Sequence, residues 1–311
     1  MALPWNCTPL ILKFLTTTPL NAVSSISHSD RLNQDLQFQD KLAVYRVVTA
    51  GLLCSLLWKA RYIPFFFSTY RSIPLQDTFF PPLWQDPSFL ALLFLCPIGL
   101  GLGVLFFASR TLLLVQSVVT VICLFGLSIH QQSYNDVTFV TCFWVGLWQL
   151  WFAIRIGEAA ETLYPKGGFL AAAVFSLMFL GGAIGKLTPG YWSGEVFYEI
   201  YFANRNYWIF TILRGNFSPE NLKEISLYYS RLVIIVELLG GGLWLLPTRW
   251  ACGAGILIFL SIALMSNTNL FSVMSCLLGL GVAGLHRPKP VPPMAGQKSN
   301  PWHRDELLLP S

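Results

Sequence analysis

The sequence predicts an all-α fold, a polytopic transmembrane helical bundle of about eight spans, with seven to nine allowed by the shortness of the last apolar runs. Two observations predict it. Only 11% of the 311 residues are charged and 54% are hydrophobic, whereas an ordinary soluble domain carries roughly 25% charged residues. The shortage is also uneven, because long apolar runs alternate with short stretches that hold nearly all the Lys, Arg, Asp and Glu. Helices at the surface of a soluble domain must show a polar face, so a soluble core cannot absorb this many runs, and lipid can. Helices are expected rather than a lipid-facing barrel, because the runs are continuously apolar and do not alternate.

A hydrocarbon core about 30 Å thick needs roughly 20 apolar residues in a helix. In chain order the expected spans are Leu42–Trp58, Phe89–Ala108, Thr111–Ile129, Val137–Ile154, Gly168–Leu187, Leu232–Leu246, Cys252–Met265 and Leu270–Leu285. The first five are well separated, and the last three are short, with looser boundaries. Residues 42–285 therefore form the bundle. Residues 1–41 are expected to be a cytoplasmic segment, since Lys13 interrupts the apolar stretch Pro9–Leu15 that a cleavable signal would keep unbroken. The part just before Leu42 suits an amphipathic piece on the membrane surface. Residues 286–311 carry Pro288, Pro290, Pro292, Pro293 and Pro301 among polar and basic residues, and that composition predicts a disordered cytoplasmic tail.

Lys and Arg set the expected orientation. The short loops His130–Asp136 and Ser266–Asn269 contain neither residue, while the loops on the other side carry Arg110, Arg155, Lys166 and Arg249. Both termini are thus expected in the cytoplasm, with the long connections Lys59–Ser88 and Thr188–Arg231 facing outward or into a lumen. The net charge of +5 fits this anchoring role. No basic stripe with interleaved aromatics points to nucleic acid, so membrane lipid and another membrane protein are the partners in view. Of seven cysteines, all but Cys7 lie in apolar runs, and no CxxC or Cys/His cluster occurs; no metal site or disulfide framework is expected.

Three ionisable residues fall inside or at the end of spans, where a charge costs about 2.5–3.5 kcal/mol at the centre on insertion scales. Arg46 lies one turn into the first span and can snorkel to the headgroups. Glu237 is deeper, and must pair, accept hydrogen bonds or be protonated. Lys186 follows Gly181, Gly182 and Gly185, small residues that let helices approach closely. An amine drawn into such a contact loses water and moves toward general-base chemistry, although a span-end Lys is more often an anchor. Trp144, Trp148 and Trp151 recur at near-helical spacing in the fourth span, as a packed or interfacial aromatic face does.

Several segments carry a resemblance in matching order. Gly185-Lys186-Leu187 is followed by Trp192 and Gly194, Tyr45-Arg46 by Gly51, and Glu237-Leu-Leu-Gly-Gly-Gly by Asn267-Thr-Asn269-Leu-Phe-Ser272. Together they resemble the membrane region of vitamin K-dependent γ-glutamyl carboxylases and the wider HTTM family, over roughly 41–285. The resemblance implies a bundle acting on an apolar, quinone-like substrate, with a reduced quinone as the cofactor in question. It implies Lys186 as general base, Glu237 and His130 as its polar partners, and Gln132, Tyr134, Trp192, Asn267 and Asn269 beside the substrate. Two departures weigh against glutamate carboxylation of proteins. The family's His-Ser-Tyr stretch reads Gln132-Ser133-Tyr134 here, with His130 two residues earlier, and a second family histidine is Leu264. The large luminal domain of the carboxylases has no counterpart either. A non-enzymatic accessory or maturation protein for another membrane protein is the alternative, and a transporter ranks third, for want of internal symmetry.

Overall fold

The computed structural model describes residues 28–60, 63–64, 67–68, 86–129, 137–266 and 270–287. All regular structure among them is helical. The long helices are α1 (His28–Lys59), α2 (Pro87–Phe106), α3 (Arg110–Ile129), α4 (Val137–Arg155) and α5 (Ala160–Gly185). Short pieces follow: α6 (Pro189–Trp192), α7 (Glu195–Phe197), the π-helical Tyr198–Ala203 and α8 (Trp208–Asn216). The chain ends in α9 (Pro219–Gly240), the 3-10 turn Leu243–Leu245, α10 (Thr248–Ser266) and α11 (Phe271–Leu285). Local chemistry places the starts. Asp86 caps α2 by accepting from the Ser88 N–H at 2.8 Å, and Ser218 caps α9 in the same way through Asn221. Each is followed by a proline at the first helical position, where the missing N–H would have had no partner.

Among the described residues, six helices are long and apolar enough to cross a membrane: Gln34–Lys59, Pro87–Phe106, Arg110–Ser128, Val137–Arg155, Ala160–Gly185 and Pro219–Leu245. Thr248–Ile262 and Phe271–Leu285 are shorter apolar helices. Every expected run falls on one of these segments, and the chain is a multi-pass helical membrane protein. Two boundaries differ from expectation. No break separates residues 28–41 from the first span, because the stretch contains neither Gly nor Pro and continues as α1. The connection expected over Thr188–Arg231 is itself folded, with Phe202, Phe210 and Leu222 as a small aromatic core of its own.

The helices pack around α1, α5 and α11. Gly51 of α1 meets Gly279 of α11 so closely that a Cβ on Gly51 would sit 2.7 Å from the Ser275 carbonyl oxygen. These two helices run antiparallel: Asp40 reaches His286 at one end and Ser55 donates to the Ser272 carbonyl toward the other. The first is called the proximal end here and the second the distal end. Helix α9 descends antiparallel along α5, with Phe179 against Gly240 and the Trp244 N–H donating to Ser176 Oγ at 2.9 Å. Helix α10 then returns parallel to α5, from Gly168 beside Thr248 to Phe179 stacked on Phe259 with centroids 4.4 Å apart.

Polar side chains are buried at mid-bundle. The Tyr45 hydroxyl donates to Gln116 Oε1, whose amide donates to Thr120 at 3.1 Å. Gln149 Nε2 donates to Thr49 Oγ1 at 2.9 Å. Such bonds join helices that have no hydrophobic reason to prefer each other over lipid.

Candidate functional site

The distal end of α5 holds an ion pair between two helices of the bundle. The helix stops at Gly185, and Lys186 follows as its cap residue. The side chain turns back along α5, and its ammonium donates to the Gly182 carbonyl at 3.2 Å. It also meets both Glu237 oxygens at 2.8 Å. Glu237 comes from the last turn of α9, and the two side chains are 23% and 10% exposed. Lys186 is thus the accessible member and Glu237 stands behind it. A Cβ on Gly182 would lie 3.2 Å from the Glu237 carboxylate, so the bare backbone there gives the carboxylate its room. Gly181 and Gly185 meet nothing within 4 Å of that position, which singles out one glycine of the three.

The folded distal segment follows this pair in the chain. Helix α6 begins at Pro189, three residues after Lys186, and its Trp192 stacks under the Arg231 guanidinium at 5.4 Å. Arg231 also donates to the Trp192 carbonyl at 3.3 Å. Gly194 then turns the chain with φ +78°, a left-handed conformation that favours glycine. A Cβ there would fall 2.5 Å from the Leu227 Cα, and Ser226 closes the contact by donating to the Gly194 carbonyl at 2.7 Å. Trp192 and Gly194 therefore dock the distal segment onto α9, about two to three turns before Glu237. Tyr201 belongs to the same segment. Burial pushes its phenol up from the usual value, the neighbouring Arg205 guanidinium pulling the other way, so it remains a neutral donor at the edge of the Glu237 field.

Of the residues singled out from the sequence, Lys186 and Glu237 come together here, and Trp192 lies on the segment that follows, against Arg231. His130, Gln132, Tyr134, Asn267 and Asn269 lie outside the described residues. Arg46 is half-buried, and its Nε donates to the Val104 carbonyl in the last turn of α2 at 3.1 Å. Trp148 is core, stacked on Phe152 and donating to the Gly167 carbonyl at 2.7 Å.

A second cluster, at the proximal end, escapes sequence reading. The Tyr164 hydroxyl donates to Asp40 Oδ2 at 2.7 Å, and His286 Nε2 lies 3.1 Å from the same oxygen. Three helices are joined there. Asp40 and His286 flank the expected spans, which had assigned them to a surface segment and to a tail; His286 instead caps α11 and packs edge-on to Tyr164. Lys41 beside them is buried, donating to the carbonyls of Ile156 at 3.2 Å and Glu158 at 2.6 Å.

No protein-family model, curated protein or solved structure matches this chain.

Proposed function

We propose that this chain is a membrane-embedded enzyme of the HTTM, carboxylase-like type, acting on a quinone-like apolar substrate at its distal end. One observation carries the reading: a lysine and a glutamate from different helices form a two-oxygen ion pair at the margin of an apolar bundle, with the lysine on the accessible side. The chemistry open to such a pair is proton acceptance. Glu237 takes a proton from the Lys186 ammonium, and the resulting amine removes one from an acidic hydroxyl of the substrate. The pair then holds one added proton beside the anion it has made. Residue types and order in the Lys186, Tyr45-Arg46 and Glu237 segments support the family reading. The asymmetry of Lys and Arg supports an orientation with both termini in the cytoplasm and the distal end outward.

The test is consumption of a short-tailed naphthohydroquinone by the full chain in liposomes under air. General-base contributions are about 10²–10⁴-fold, so Lys186→Ala and Glu237→Gln are expected to lose activity on that scale per folded molecule, the folded fraction being measured alongside. Retained consumption in Lys186→Ala would end the proposal. A second reading has its own support: every Lys186 N–H is already bonded within the protein, as in a structural pin, and a pinned bundle suits an accessory protein for another membrane protein. That reading expects a stoichiometric partner after purification in mild detergent.

A further inference from the structure

A groove of about 840 Å³ opens at the proximal end, remote from the Lys186–Glu237 pair. Its lining brings together Arg249 in the first turn of α10 and Arg287 just beyond α11, with Trp250, Thr248 and Tyr164 between them. Both arginines are exposed, and neither forms an ion pair among the described residues. They converge from helices that are joined below the groove, where Gly284 meets Cys252. Thr248 opens helix α10, and the first N–H groups of any helix lack partners within it. The groove floor includes Gly253, above which there is open space. Its flank continues into the outer face of α10, where Trp250 is 74% and Leu257 68% exposed. Positive charge, hydrogen-bond donors and an aromatic ring thus meet at one end of an apolar, outward-facing strip.

We propose that this groove binds the phosphate of an anionic phospholipid, with Arg249 and Arg287 on the phosphate oxygens, Trp250 at headgroup level and an acyl chain along α10 past Leu257. Arginine suits the role because its planar fork matches phosphate oxygens. The lipid source is favoured over free phosphate by the apolar strip that continues from the groove. This site would serve regardless of whether the distal pair is catalytic.

The experiment is native mass spectrometry of the full chain in mild detergent, titrated with phosphatidylglycerol or with phosphatidylcholine of the same chains. Two surface arginines near a phosphate are worth on the order of tenfold or more in binding, so phosphatidylglycerol adducts are expected to outlast phosphatidylcholine adducts by that factor. Arg249→Gln with Arg287→Gln should erase the preference. Gly253→Leu, whose Cβ would meet no protein atom within 4 Å and which changes no charge, should reduce binding as well. Displacement of phosphatidylglycerol by millimolar inorganic phosphate would support an oxyanion site that also takes the free ion, and resistance to it would assign the lipid as the ligand. Equal retention of the two lipids, or a preference that survives both sets of substitutions, would overturn the proposal.

Discussion

Lys186 has three N–H donors to place, and the Gly182 carbonyl and the two Glu237 oxygens take them all. This arrangement sets an unequal stability test. Removing one member of a buried pair costs about 3–5 kcal/mol when the other is left without compensation. Lys186→Met strands the more deeply buried Glu237, so it should approach that range. Glu237→Leu leaves a long-stemmed amine at a helix end, which can swing toward the interface, and should cost less. The double variant should be more stable than Lys186→Met alone, as coupled neighbours require. Thermal unfolding in detergent measures all three, and equal melting temperatures for the parent and Lys186→Met would remove the pair from any stabilising role. At this scale the sequence was half legible. It required Glu237 to find a partner, but that partner lies 51 residues away, and nothing in local spacing chooses Lys186 over Arg46. The Asp40–Tyr164–His286 cluster was hidden for a related reason, since its members sit just outside three separate expected spans.

Helices with lipid on their other faces gain little from apolar contact with each other, so close backbone approach and interhelical hydrogen bonds decide which faces meet. The crossing of α1 and α11 depends on this at Gly51 and Gly279. Gly51→Ala would put a methyl group 2.7 Å from a backbone oxygen that cannot move aside cheaply, and overpacking of this kind costs about 1–3 kcal/mol. Gly185→Ala meets open space at the end of α5 and should stay within about 0.5 kcal/mol of the parent. Paired melting curves of the two variants check the contrast, and a Gly51→Ala protein as stable as Gly185→Ala would refute the crossing. Apolar run length located the helices well, because that is the quantity lipid reads. It could not show that α1 reaches back to His28, since a helix extending beyond the hydrocarbon no longer needs apolar residues. Nor could it show that residues 189–216 fold, because their core is three scattered side chains, Phe202 and Phe210 with Leu222 of α9.

For the molecule as a whole, composition alone settled the solvent, and the path of the chain settles which ends share a face. Asp40 at the start of the first span and His286 at the end of the last are 3.1 Å apart, so the chain crosses back as often as it crosses over. The distal segment, with Arg205 and Lys223 stacked on Tyr201 and Tyr198, lies toward the opposite face. A labelling experiment follows directly. Single cysteines at Asp35, Arg287, Asn206 and Lys223, all exposed positions, are placed in a background without native cysteines and treated with a membrane-impermeant thiol reagent. Under the orientation proposed above, Asn206→Cys and Lys223→Cys should label on intact cells, while Asp35→Cys and Arg287→Cys should label only after permeabilisation. Inverted vesicles should reverse the pattern. Labelling of Asp35→Cys and Arg287→Cys from different sides would require an odd number of crossings. The contact between Asp40 and His286 could not then form, and the proximal groove that His286 and Arg287 line would be lost with it.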